Sequence, residues 1–116
     1  MKYSFYLKKY LKYKVKTVKA DNEYAVLTRF TDAFWTPAKV QEIIDGIDIS
    51  RDKEWDDRYT WANEDVLVYS FKHAVVMWDL MADRAGASNG EQDLEITHDE
   101  FIQFLEDFKQ FVTDNQ

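Results

Sequence analysis

Two histidines, His73 and His98, are the only imidazoles in this 116-residue chain, and cysteine is absent. Nucleophilic catalysis needs a nucleophile, a base and an orienting group within mutual hydrogen-bond reach. Neither histidine sits in a nucleophile motif, and G-x-S-x-G does not occur. His98 is the second residue of a helix-capping pattern and reads as a solvated first-turn residue, and His73 beside a hairpin turn reads as an ordinary structural one. The triplet HDE (His98–Glu100) would splay its side chains about 100° apart on successive helical positions, which prevents convergence on a metal ion. The spacing of an EF-hand loop is missing, and no strand candidate carries the acid and E-x-K of a nuclease core. Three scattered glycines cannot build a phosphate-cradling loop. The chain is therefore not expected to be an enzyme or to hold a cofactor or metal.

A different chemistry is concentrated in the middle of the chain. From Asp45 to Asp65 there are eight acids against three bases, with Trp55, Tyr59 and Trp61 interleaved. Tyrosine and tryptophan are favoured anchors in protein interfaces, while surrounding charge steers encounter and sets register. The competing reading is that the rings face the core and the acids only solvate the surface. The candidate partner-binding residues are Asp52, Glu54, Trp55, Asp56, Asp57, Tyr59, Trp61, Glu64 and Asp65.

Charge elsewhere is lopsided. Residues 1–20 hold seven lysines and no acid, whereas residues 21–116 hold eight bases against 22 acids, within a net charge of −7. So acidic a chain repels phosphate backbones, and a basic protein is the better electrostatic partner. Lys12, Lys14 and Lys16 alternate along a strand, about 6.6 Å apart on one face. They read as a solvent-facing strip that discourages edge-to-edge aggregation rather than as a nucleic-acid ribbon. The longest unbroken apolar run, Ala74–Trp78, falls far short of the ~20 residues that cross a bilayer. With no cysteine and no signal-peptide core, a cytoplasmic location is expected.

The elements that must position these residues follow from periodicity. Tyr3, Phe5 and Leu7 alternate, a turn is expected at Lys8–Lys9, and Leu11, Tyr13, Val15 and Thr17 alternate against the lysines. ADNE (Ala20–Glu23) signals a turn, and YAVLTRF (Tyr24–Phe30) reads as a further strand. Thr36, Pro37 and Gly46 mark the cap, first turn and exit of a helix whose apolar face is Val40, Ile43, Ile44 and Ile47. Part of the acidic segment can be strand, with Trp55, Tyr59 and Trp61 on one odd-numbered face. VLVYSF and AVVMWDL read as two central strands joined near Lys72–His73. Arg84–Asp93 is the long loop. Thr97 and Glu100 form a capping box for a last helix whose stripe is Phe101, Phe104, Leu105, Phe108 and Val112. The fold class expected is α+β: one domain over residues 1–116, with an antiparallel sheet carrying a short helix and a C-terminal helix.

The combination of DKEWDDRYTWANED, the paired strands DVLVYSF and AVVMWDL, and the capped helix THDEFIQFLEDF resembles the small immunity proteins of bacterial polymorphic-toxin and contact-dependent growth-inhibition systems. The resemblance implies stoichiometric binding of a cognate toxin, often a nuclease with a basic groove, whose active or essential surface is occluded. The basic first 20 residues depart from a uniformly acidic inhibitor. The alternative is a non-catalytic regulatory or assembly module for another cytoplasmic protein.

Overall fold

The computed structural model describes residues 1–86 and 92–116. The expected loop Arg84–Asp93 therefore lies partly outside the described residues. The chain folds as α+β, with the helices on one face of an antiparallel sheet.

Strands β1 (Tyr3–Tyr10) and β2 (Tyr13–Ala20) form a hairpin of their own, in register from Tyr3 opposite Ala20 to Tyr10 opposite Tyr13. The turn is thus Leu11–Lys12, not Lys8–Lys9. Period-two alternation simply runs on through the lysine pair, and the turn carries no glycine, asparagine or aspartate to announce it. Leu11 adopts φ 55°. The lysine strip is also corrected at one position. Lys16 is buried, donates from Nζ to the Ala33 carbonyl (3.2 Å) and exchanges backbone hydrogen bonds with Asp32, whereas Lys12 and Lys14 stay exposed.

The expected strand Tyr24–Phe30 is instead part of a 3₁₀ segment, Asn22–Phe30, kinked at Tyr24. Its buried residues Val26, Leu27 and Phe30 fall at helical rather than alternating spacing, an ambiguity inherent in short apolar runs. Helix α1 (Pro37–Ile49) starts as expected, with the Lys39 amide donating to Thr36 Oγ1 (3.2 Å) and with Val40, Ile43, Ile44 and Ile47 buried. It runs three residues past Gly46, which is interior rather than terminal: the Tyr59 ring lies where a Gly46 side chain would be.

The second sheet has the order β3 (Tyr59–Ala62), β4 (Val66–Phe71), β5 (Ala74–Asp79), β6 (Leu94–Ile96), all antiparallel. A short helix α2 (Leu80–Arg84) follows β5, capped by Asp79. Helix α3 (His98–Asp114) has the full capping box between Thr97 and Glu100. Phe101, Phe104, Leu105, Phe108 and Val112 are all completely buried, each stabilising the fold by about 1.5–3 kcal/mol. They join α1, the 3₁₀ segment and Val66, Val68, Val75 and Met77 of the sheet in one core cluster. The hairpin's base closes that core, with Phe5 against Phe104, Phe108 and Phe111.

Candidate partner-binding surface

Two short 3₁₀ turns, Ser50–Asp52 and Trp55–Asp57, carry the acidic segment from α1 to β3. Four contacts hold them down. Ser50 Oγ is buried 2.7 Å from the Ile47 carbonyl and 2.5 Å from Ser70 Oγ. The Lys72 amide donates to the Lys53 carbonyl (2.8 Å), and Lys72 Nζ pairs with Glu54 (2.7 Å). The segment is thereby fastened to the end of β4 and to the β4–β5 turn.

Alternation then separates the aromatic residues. Tyr59 pairs with Ser70 and Trp61 with Val68, so both rings point to the helix-covered face. Trp61 stacks on Phe30 (5.3 Å between ring centres) and Trp35 (5.7 Å) and is half-buried. Tyr59 is half-buried over Gly46, and burial followed by the nearby Glu42 charge raises its hydroxyl pKa. Trp55 lies on the other side of the sheet, edge-on to Tyr69 (5.4 Å) and Phe71 (5.1 Å). The three rings therefore do not share one face. Trp55 stands in a 3₁₀ turn before β3 begins, so the strand alternation that aligns Tyr59 with Trp61 does not extend to it.

The open face of the sheet is itself aromatic. Leu67, Tyr69, Phe71 and Trp78 alternate with the core-facing residues of β4 and β5 and lie outside the core cluster. Arg58 sits 4.4 Å from the ring centres of both Trp55 and Tyr69, and its Nη1 donates to the Trp55 carbonyl (2.9 Å). A guanidinium between two rings fixes Trp55 while leaving 42% of it exposed. Arg58, Tyr69, Phe71 and Trp78 were not among the sequence candidates. The signal was present in VLVYSF, where Leu67, Tyr69 and Phe71 form one apolar set alternating with Val66 and Val68, as in a sheet with two useful faces.

The acids divide as well. Asp52, Glu54, Asp56 and Asp57 are exposed around Trp55. Glu64 and Asp65 lie in the turn at the far end of β3, where Asp65 is half-buried and paired with Arg84 (3.0 Å). Asp56, Asp57 and Glu64 enter no ion pair among the described residues. Two clefts flank the segment. One, of about 320 Å³, lies between Trp35, Trp61, Phe34 and Asp32; the other, of about 430 Å³, lies between α1 and Tyr59, with Ile49, Glu42, Asp45 and Asp57 on its walls.

The imidazoles are also placed. His73 is exposed in the β4–β5 turn beside Phe71. His98 is buried, against expectation, because its Nε2 donates to the Phe71 carbonyl (2.6 Å), which ties the start of α3 to the end of β4. Among the described residues no group of three His, Asp or Glu side chains is placed to hold a metal ion, and no helix is long and apolar enough to cross a membrane. No protein-family model, curated protein or solved structure matches this chain, so the meaning of the surface rests on its own geometry.

Proposed function

We propose that this chain is an immunity protein, a non-catalytic inhibitor that neutralises a cognate toxin by occupying a basic active or essential surface. The observation that carries the reading is the Trp55 platform. One large, exposed ring is fixed in advance by Arg58, Tyr69 and Phe71 and is ringed by Asp52, Glu54, Asp56 and Asp57. Fixing an anchor before contact lowers the ordering cost of association. The acids stand in for the phosphates that a basic groove attracts, so they accelerate encounter, while the desolvated ring slows dissociation. Tyr59 and Trp61 face the core side of the sheet, and Glu64 and Asp65 lie at the far end of β3, so the contact centres on Trp55 and its four acids.

The test co-expresses the chain with the product of the reading frame adjacent to its own and measures growth, then follows binding of the purified pair. The partner expressed alone should arrest growth, and adding this chain should restore it. Trp55→Ala should speed dissociation about 30-fold, as expected for an interface hot spot. Changing Asp52, Glu54, Asp56 and Asp57 together to Asn should slow association about tenfold at low ionic strength and much less at high salt. Association indifferent to both salt and these carboxylates would sink the proposal. A partner that is harmless by itself would turn the reading to a regulatory or assembly module.

A further inference from the structure

The hairpin tip is built against its own local stability. Lys9 and Lys14 lie directly opposite each other across the strands, an arrangement that destabilises an antiparallel pair. Lys8, Lys9, Lys12 and Lys14 are exposed and make no ion pair among the described residues. Leu11 at the apex combines φ 55° with 77% exposure, in a turn where glycine or asparagine would be unstrained. Tyr10 beside it is 65% exposed, and Phe34, against Tyr13, is 63% exposed. Strain, like-charge opposition and exposed apolar groups in one place mark a surface kept for contact.

The complementary surface is on the same chain. Residues 42–57 hold seven acids against two bases. The cleft between α1 and Tyr59 offers an apolar floor, including Ile49 (67% exposed), with Glu42, Asp45 and Asp57 on its walls. Lys53 and Arg58 also line it, the latter held against the Trp55 and Tyr69 rings. We propose that the β1–β2 tip of one molecule docks in this cleft of a second copy, with Leu11 on the apolar floor and Lys9, Lys12 and Lys14 against the acids. A uniformly anionic partner such as nucleic acid would meet repulsion from residues 21–116, whereas a second copy offers both signs and can set its charged ends antiparallel. Direct pairing of two β1 edges is opposed by Lys8 and Lys9. Reciprocal docking closes a two-fold dimer and doubles the buried area, while one-way docking would grow a chain. The cleft shares Asp57 with the proposed toxin-binding surface, so self-association and toxin capture compete.

The experiment needs only this protein, so its failure leaves the immunity reading standing, and the converse. Mass is measured by sedimentation over a concentration series in about 25 mM and about 500 mM salt, two conditions that differ several-fold in screening length. A dimer is expected at low salt, with dissociation rising at least tenfold at high salt. A variant carrying Lys9→Glu, Lys12→Glu and Lys14→Glu should be monomeric, as should Glu42→Lys with Asp45→Lys. Mixing these two folded variants should restore the dimer, because each then presents the charge the other lost. Leu11→Ser, which reverses no charge, should weaken the dimer as well. A monomer at every concentration and salt overturns the proposal, and so does self-association that survives the lysine reversals or a mixture that stays monomeric.

Discussion

Leu11 shows how a single residue can oppose the fold and still be kept. An L-residue in the left-handed region costs about 1–2 kcal/mol, and glycine returns most of that while adding some freedom to the unfolded chain. Leu11→Gly is therefore expected to stabilise the protein by about 1 kcal/mol, read as a higher urea midpoint at unchanged slope. A midpoint that stays put or falls would mean that φ 55° carries no cost here. The same substitution removes the apical side chain that docking uses, so stability and self-association should move in opposite directions. Lys16 makes the complementary point: its ammonium is withdrawn from the strip by one carbonyl acceptor at 3.2 Å, which alternation along β2 could not foretell.

At the scale of elements, α1 and β3 are fitted to each other through the absence of a side chain. A Cβ on Gly46 would lie 2.2–2.6 Å from three Tyr59 ring atoms. Alanine is the better helix former by about 1 kcal/mol, yet Gly46→Ala should destabilise by about 1–3 kcal/mol because the ring must move. With Tyr59→Ala in the background, the same Gly46→Ala change should be neutral or stabilising, and chemical denaturation of the four variants in a double-mutant cycle measures this. Additive effects would separate Gly46 from the Tyr59 ring. The sequence marked the start of α1 correctly, through Thr36 and Pro37, but its glycine looked like an exit. Helix signals are local, whereas the need for room at residue 46 arises 13 positions later in the chain.

At the scale of the molecule, the first strand is tied to the last helix. The Tyr3 hydroxyl donates to Asp107, and Phe5 packs among the α3 rings. Burial, then the hydrogen bond and charge of Asp107, push the Tyr3 pKa well above the ordinary tyrosine value. The folded state therefore holds this proton after the unfolded chain, with its normal pKa near 10, has released it. The linked stability is fully present below about pH 10 and is lost as pH rises toward the folded value. Wild type should exceed Tyr3→Phe in urea stability at pH 8, and the gap should narrow steadily from pH 10 upward. Absorbance of tyrosinate near 295 nm should show one fewer late-titrating hydroxyl in the variant. A gap independent of pH would remove the Tyr3–Asp107 linkage.

Composition, capping chemistry and periodicity determined the α+β class, the start of both long helices, the β4–β5 pair and the fully buried face of α3. These succeed because each depends on relations within a few residues: a cap and its amide, or side chains one turn apart. Tertiary structure alone decided that Trp55 and Trp61 serve opposite sides of one sheet, that Tyr69, Phe71 and Trp78 join Trp55, and that the lysine hairpin stands as a separate two-stranded unit. Periodicity fixes which residues share a side of an element, but not which side is covered. That is set by distant segments competing for the same apolar surface, a sum over the whole chain that no local window contains.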